Sequence, residues 1–180
     1  MGSKGFGMSS TYDTLTSADC TSCQVSVDKS AYWVPSLYYR SQDGSSFTSV
    51  TQQGGSLMYY LQRRGHDSEP LVAYPKGFRM LTGSPLYRSD QGTLESKAIS
   101  WACIDYNRNP TPQTGYIPNR NCPNNLRMQI VFPSCWDGIN LDSPNHKSHG
   151  TTPFREANAK SHIRTGSIME IALLPILFVS

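Results

Sequence analysis

The side chains best suited to chemistry lie between residues 132 and 149. This segment holds two carboxylates, two imidazoles, a tryptophan and a cysteine. Asp142, His146 and His149 could supply an acid and a base for catalysis, because a carboxylate against an imidazole fixes its tautomer and raises its basicity. The same arrangement would let His146 and His149 bind a divalent metal. We therefore predict a polar catalytic or metal-binding site in this segment.

The spacing of the two histidines sets a condition on this site. His146 and His149 would share one face of a helical turn, but they would point to opposite sides of an extended strand. Turn signals at 136–138 and 142–144 favour a looped segment, in which the polar side chains could meet. The alternative interpretation is structural, with Asp142 as a turn residue and both imidazoles facing solvent.

Weaker candidates for substrate binding are an arginine outside this segment and several aromatic side chains, one of which lies within it. Arg79, within Gly77-Phe-Arg-Met80, could clamp a uronate, because guanidinium matches a carboxylate bidentately, although such an arginine more often ties loops together. Trp136 could belong to a sugar-stacking platform, although most of the aromatic residues also fit a core or strand pairs. The candidate platform residues are Tyr32, Trp33, Tyr38, Tyr39, Tyr59, Tyr60 and Trp136. His66 beside Asp67 invites a catalytic interpretation, but the surrounding residues are typical of an exposed turn.

The cysteines favour disulfides over a metal centre. The chain has five of them, Cys20, Cys23, Cys103, Cys122 and Cys135. Cys20 and Cys23 have the local spacing of a zinc site, but no second pair of ligands follows. Cys103 could pair with Cys122 or Cys135, and Cys20 could pair with Cys23 or with a distant thiol. The odd number leaves one thiol over, which suggests an intermolecular bridge or a missing partner.

These residues must be positioned mainly by strands. Only 16% of the residues are charged, whereas soluble proteins typically have about 25%. Together with abundant Ser, Thr, Asn, Gly and Pro, this predicts a mainly β protein: a single antiparallel sandwich-like or jelly-roll-like domain with long loops and few short helices. Aromatic and β-branched runs predict strands at 31–39, 47–51, 57–61, 97–105 and 126–132. We also expect a hairpin turn at 41–45, a break at Gly54-Gly55 and one short helix at 154–161.

Charge and hydropathy argue against a nucleic-acid partner, a targeting or lipid-anchor signal at the N-terminus, and a membrane span. A net charge of +3, with scattered Lys and Arg, argues against a nucleic-acid partner, which normally needs a clustered basic face. The first eight residues lack the apolar run of a signal peptide and do not fit the myristoylation pattern. The apolar run 168–179 is interrupted by Glu170 and Pro175 and is shorter than the ~20 residues of a membrane span. We expect it to form a buried strand, or an aggregation-prone tail if its reading frame is wrong.

Long, ordered motifs also support a family resemblance. They are Ser10-Thr-Tyr-Asp-Thr-Leu15, Cys20-Thr-Ser-Cys23, Asp28-Lys-Ser-Ala-Tyr-Trp-Val-Pro-Ser-Leu-Tyr-Tyr-Arg40, Lys76-Gly-Phe-Arg-Met-Leu-Thr-Gly83, Cys103-Ile-Asp105, Cys122-Pro123 and the segment 132–149. Through them the chain, from about Gly5 to His149, resembles the fungal secreted domain of unknown function family nineteen ninety-six. Some members of that family carry WSC modules thought to bind cell-wall carbohydrate.

The resemblance implies how the chain is organised. Family members usually begin earlier, with a motif like His-Val-His, and continue into a Gly-rich part containing His and Asp. We therefore expect a domain truncated at both ends, with a partial domain at 1–154 and a divergent tail at 155–180 that is an artefact of the gene model. A truncated domain would be marginally stable or aggregation-prone.

The resemblance also implies a location and two candidate functions. The complete family member would be extracellular or in the cell wall. One function is a metal-dependent or acid–base enzyme that acts on cell-wall polysaccharide, with Asp142, His146 and His149 at its site and Arg79 assisting. The alternative is a non-catalytic cell-wall or surface protein that binds glycan through aromatic side chains.

Overall fold

The computed structural model describes residues 1–61, 72–108, 112–152 and 170–177. Within them the chain divides into two compact units, residues 1–50 and the residues from 51 onward. Strands in small antiparallel sheets predominate and the helices are short, which confirms the prediction of a β-rich protein. The predicted turn at His66 and Asp67 and the predicted helix at 154–161 lie outside the described residues.

The first unit contains one short helix and one hairpin. Helix α1 spans Tyr12–Thr16 and begins at a capping box, in which the side chains of Thr11 and Thr14 bond each other's backbone amides. Strands β1 (Tyr38–Arg40) and β2 (Phe47–Ser49) pair antiparallel and confirm the predicted hairpin.

The strand predicted at 31–39 is wrong over most of its length. Within that range only Tyr38 and Tyr39 belong to a strand, the β1 strand that Arg40 completes. Pro35 lies in the middle of the predicted run and cannot donate a backbone hydrogen bond to a neighbouring strand. The aromatic residues of this run therefore do not form one continuous strand.

The second unit is built around a four-stranded antiparallel sheet with the order β3-β8-β5-β4. A separate two-stranded ribbon is formed by β6 and β7. The elements of this unit are β3 (Gln52–Leu61), α2 (Leu94–Lys97), β4 (Ile99–Ile104), β5 (Asn125–Val131), β6 (Cys135–Trp136), β7 (Gly150–Thr151) and β8 (Glu170–Leu177).

The strand predictions for this unit hold with one correction. Strand β4 lies inside the predicted range 97–105, although the first residue of that range, Lys97, belongs to α2. Strand β5 matches the predicted range 126–132 except at its ends, and the C-terminal apolar run forms strand β8. The break predicted at Gly54-Gly55 is wrong, because β3 continues through both glycines. The strand accommodates them as a β-bulge between Gln53 and Ser56, with φ values of 74° and 72° at the two glycines.

Apolar residues of β4 and β5 form the described core. Ala102, Cys103, Leu126 and Ile130 are buried there. A disulfide joins Cys103 to Cys122, so the structure selects one of the two partners left open by the sequence. Among the described residues, no helix has the length and apolar character needed to cross a membrane.

The ribbon determines the shape of the segment with the candidate site residues. After β5, the chain enters β6, and Trp136 in β6 pairs with Gly150 in β7. This pairing brings together the two ends of residues 137–149, which we call the site loop. The looped geometry required for the two histidines to lie near each other is therefore present.

Candidate functional site

An aspartate-capped turn begins the site loop. The carboxylate of Asp137 accepts hydrogen bonds from the backbone amides of Ile139 and Asn140, both at 2.9 Å, and from the side-chain amide of Asn140 at 2.6 Å. These bonds, that from the Asn140 side chain most of all, hold the pKa of Asp137 below its usual value. The indole Nε1 of Trp136 donates to the carbonyl of Asn140 at 2.6 Å. The polar edge of Trp136 is therefore used to hold this turn, and its role in substrate binding stays a prediction.

The second half of the site loop pairs a carboxylate with an imidazole. Oδ1 of Asp142 lies 2.6 Å from Nδ1 of His146, and the two side chains are 35% and 44% exposed, respectively. Since an ionised carboxylate can only accept a hydrogen bond, Nδ1 carries the proton. The lone pair of the neutral ring is then on Nε2, which has no hydrogen-bond partner among the described residues. This is the arrangement of a general base oriented by a carboxylate.

The backbone fixes the position of His146. This residue has a φ of 55°, in the left-handed region that few residues other than glycine adopt, although His is enriched there. Its amide donates to the carbonyl of Ser143 at 2.8 Å, and its own carbonyl accepts from the amide of Leu81 at 2.8 Å. Bonds on both sides of the residue thus hold an uncommon conformation, and unusual backbone conformations of this kind cluster at functional sites.

The electrostatics of Asp142 favour its ionised form. Partial burial raises the pKa of this carboxyl, but the hydrogen bonds from His146 and from the amide of Ser143 outweigh it. The net effect lowers the pKa of Asp142 below its usual value. Asp142 therefore stays negatively charged and can stabilise an imidazolium at His146.

His149 has the opposite environment. It is only 2% exposed, and both its ring nitrogens are hydrogen-bonded inside the protein. Nε2 lies 2.6 Å from the carbonyl oxygen of Arg79 and must donate to it, while Nδ1 lies 2.8 Å from Oγ of Ser143. The ring of Phe78 covers it at a centroid distance of 5.0 Å. His149 therefore holds the loop from inside.

This placement bears on metal binding. A metal at His149 would have to displace one of the two ring hydrogen bonds. Among the described residues, no group of three His, Cys, Asp or Glu side chains is arranged to hold a metal ion. The role of His146 and His149 as metal ligands stays a prediction.

Residues 77–83, which contain the predicted substrate-binding residue Arg79, lie directly against the site loop. The amide of Arg79 donates to the carbonyl of Leu141 at 3.0 Å, next to Asp142. With the bonds from Leu81 to His146, from His149 to Arg79 and from Lys147 to Gly83, four hydrogen bonds join this segment to the loop. Sequence reasoning placed both segments at the site, but the bonds use the backbone of Arg79. Its side chain is exposed, and the prediction that it binds substrate stays a prediction.

Lys147 makes the remaining connection, and sequence reasoning missed it. Its ammonium group bonds the carboxylate of Glu95 in α2 and the carbonyl of Gly83. The hydroxyl of Tyr87 donates to the other oxygen of Glu95 at 2.8 Å. Burial raises the pKa of Glu95, but these two hydrogen bonds and the charge of Lys147 lower it on balance. The position of Lys147 between the two histidines could have drawn attention to it. Its partner Glu95 could not be predicted from the sequence, because it lies 52 residues away.

The geometry of Gly83 explains why this connection needs glycine. Gly83 has a φ of 85°, and a Cβ built on it would lie 2.4 Å from Cδ1 of Ile99 at the start of β4. A larger residue would be strained at this φ, and the end of the Ile99 side chain would have to move to make room for it. The carbonyl that Lys147 binds is therefore fixed close to β4.

Comparison with known proteins identifies a family. A family model described as a domain of unknown function, DUF1996, matches residues 1–177. This range includes the site loop, segment 77–83 and most of the tail that begins at 155. No curated protein and no solved structure matches the chain.

Proposed function

The chain belongs to the DUF1996 family, and we propose that it is an acid–base enzyme that acts on an extracellular polysaccharide. His146 accepts and returns a proton through Nε2, while Asp142 holds Nδ1 and stabilises the charged ring. The distance of 2.6 Å between Asp142 and His146, together with the 44% exposure of the imidazole, carries this proposal. A general base must be both oriented and accessible to a substrate.

The surroundings of His146 support a catalytic role because they fix the ring before any substrate arrives. The backbone of His146 is bonded to Ser143 on one side and to Leu81 on the other. The next residue, Lys147, is bonded to α2 through Glu95. Preorganised groups of this kind reduce the entropy lost when the reacting atoms meet.

In this proposal the two histidines have separate tasks. His146 transfers the proton, and His149 positions the loop through Arg79 and Ser143. The proposed proton transfer uses the imidazole of His146 and the carboxylate of Asp142.

The choice of substrate has weaker support, which comes from three features. The sequence motifs resemble a secreted family associated with cell-wall carbohydrate modules. Arg79 is exposed on the segment that contacts the site loop, where a guanidinium could pair with the carboxylate of an acidic sugar. The Cys103–Cys122 disulfide is compatible with an extracellular protein.

The test is an activity screen with the full chain. The protein is incubated with uronate-containing and neutral polysaccharides, and products are detected by mass spectrometry and by new reducing ends. Activity on at least one acidic polysaccharide that His146→Ala abolishes and chelator leaves unchanged is the expected result. Asp43→Asn, at an exposed turn of the first unit, is the control. Activity that survives His146→Ala would contradict the proposal, and activity lost to chelator would favour a metal-dependent reaction.

One observation favours the alternative function, glycan binding without catalysis. Tyr38 and Phe47 are 56% and 67% exposed on the hairpin of the first unit. The register pairs Arg40 with Phe47, and Tyr38 lies two residues before Arg40, so all three share one face. Two aromatic rings beside a guanidinium suit the flat faces and acidic groups of a sugar chain.

Calorimetric titration with soluble cell-wall oligosaccharides distinguishes the two functions. Binding that Tyr38→Ala and Phe47→Ala weaken, and that His146→Ala leaves intact, would support glycan binding through the hairpin. The matched control is Tyr39→Ala, which changes an exposed tyrosine on the other face of the same strand. An equal loss of glycan affinity in Tyr38→Ala, Phe47→Ala and Tyr39→Ala would argue against a specific binding face.

A further inference from the structure

We propose that Cys20 and Cys23 form a reversible disulfide in which Cys20 is the thiol that exchanges with small disulfide molecules. This site lies in the first unit and does not depend on the proposed enzyme activity. The two cysteines are separated by two residues, the spacing found in dithiol motifs that open and close.

The backbone holds the first cysteine in place. The carbonyl of Cys20 accepts from the amide of Lys4 at 2.9 Å, and the amide of Ser22 donates to the carbonyl of Gly2 at 2.9 Å. Ser22 Oγ also accepts from the amide of Gly2 at 2.9 Å. Residues 20–22 are therefore fixed against residues 2–4, as in a pair of short strands.

The chain turns immediately after this fixed segment. The amide of Cys23 donates to Oγ1 of Thr21 at 3.1 Å, which is a local side-chain turn. Residues 22–25 form a bend, which begins at the last paired residue, Ser22. Cys20 therefore lies in the paired segment, whereas Cys23 lies in the turn that follows it.

The two thiols differ in exposure, and we therefore give them different roles in the exchange. Cys20 is exposed, whereas Cys23 is half-buried. Cys20 also lines a surface cleft of about 390 Å³ formed with residues 2–6, Thr21 and Ser22. A small disulfide can therefore approach Cys20 from the cleft, while Cys23 is better placed to resolve the intermediate. By contrast, Cys103 in the core is 4% exposed and already bonded to Cys122.

The exchange balances with a low-molecular-weight disulfide as the oxidant. The Cys20 thiolate attacks one sulfur of the small disulfide, which forms a mixed disulfide and releases one small thiol. The Cys23 thiolate then attacks the sulfur of Cys20 and releases the second small thiol. Two protein thiols are oxidised, one small disulfide is reduced, and the two protons end on the two released thiols.

The test equilibrates the full chain in glutathione buffers of graded ratio, followed by alkylation and peptide mapping. As the fraction of glutathione disulfide rises, alkylation of Cys20 and Cys23 should be lost together and a peptide linked through both should appear. Cys23→Ser should accumulate glutathione on Cys20, whereas Cys20→Ser should accumulate much less on Cys23. Cys135→Ser is the matched control and should leave the Cys20–Cys23 link unchanged.

Three results would overturn the proposal. One is a link from Cys20 or Cys23 to Cys135 in the oxidised wild-type chain. Another is equal glutathione labelling of the two single variants, because it would remove the distinction between exchanging and resolving thiols. The third is continued alkylation of both thiols under every buffer ratio while the Cys103–Cys122 bond stays intact.

Discussion

The site loop at 137–149 and the hairpin at 38–49 use the same local device and differ in what surrounds it. Each contains a turn held by an aspartate: Asp137 binds Ile139 and Asn140, and Asp43 binds Ser41 and Ser45. The turn bonds of the hairpin stay within residues 41–46. The site loop also bonds residues 79, 81, 83 and 95.

This difference separates two ways of presenting chemical groups. Tyr38 and Phe47 are exposed on the hairpin, so a substitution at either residue should change the stability of the protein little. The site loop is held by partly buried, long-range bonds, and it exposes the His146 side chain while it buries that of His149. Stability and chemistry should therefore be separable inside the loop, residue by residue.

The largest expected effect is on catalysis, from Asp142→Asn. This change keeps the size of the side chain but removes the charge that orients His146, so the rate of the proposed reaction should fall about 100-fold or more. Steady-state kinetics on the polysaccharide found in the screen measure it, with circular dichroism to confirm folding. The control is Asp43→Asn in the hairpin turn. A full rate in Asp142→Asn would show that the carboxylate is only a turn residue.

The largest effect on stability should come from His149→Ala. The change leaves the carbonyl of Arg79 without its donor and opens a cavity beside Phe78, at a position only 2% exposed. We expect a loss of about 3 kcal/mol in the free energy of unfolding of the second unit. Denaturant-dependent hydrogen exchange of the β4 amides measures it.

The hairpin supplies the matched control for this prediction. Tyr39→Ala removes a ring that is 57% exposed, and it should change stability by less than about 0.5 kcal/mol. If His149→Ala and Tyr39→Ala had the same small effect on stability, the site loop would be no more firmly held than the exposed hairpin.

The next effect concerns the ion pair of Lys147 and Glu95, whose side chains are 27% and 33% exposed. A double-mutant cycle with Lys147→Met and Glu95→Gln should give a coupling of about 1 kcal/mol, modest because water still reaches the pair. The pKa of Glu95 is lowered in the folded state. The coupling should thus be fully present above the unfolded pKa of Glu95 and disappear as pH falls through the lowered folded value.

A second ion pair in the same unit tests the reasoning. Arg108 and Asp105 are 3.7 Å apart, but the arginine side chain is 83% exposed. The cycle with Arg108→Met and Asp105→Asn should therefore give a coupling near zero. Equal couplings in the two cycles would mean that the contact between Lys147 and α2 contributes no more than an ordinary surface pair.

The sequence predicted those features that depend on neighbouring residues. Apolar runs predicted β4 and β5, and an Asp-Gly turn predicted the hairpin. Turn signals at 136–138 and 142–144 predicted a loop in which the polar side chains could meet. The burial of His149 could not be predicted in this way, because its covering ring and its acceptor come from Phe78 and Arg79, about 70 residues earlier. Pairing at that distance depends on tertiary packing, which local patterns do not encode.

The smallest expected effect is that of acid on the hairpin. Hydrogen bonds from Ser41 and Ser45 lower the pKa of Asp43 to about 2. A lowered folded pKa means that this carboxylate stabilises the turn above its unfolded pKa, and that the contribution disappears as pH falls through about 2. The amide resonance of Ser45, followed by NMR as pH falls, should shift with that midpoint, and Asp43→Asn should remove the transition.

Asp137→Asn is the matched change in the site loop and completes the comparison. The turn it alters is bonded to the indole of Trp136, which packs edge-on against Phe78 at 6.0 Å. Resonance changes in Asp137→Asn should therefore reach Trp136 and Phe78, while those in Asp43→Asn should stay within residues 41–46. Equally local changes in both variants would mean that the capped turn of the site loop is as independent of its surroundings as the hairpin turn, and that the loop is held only through His149 and Lys147.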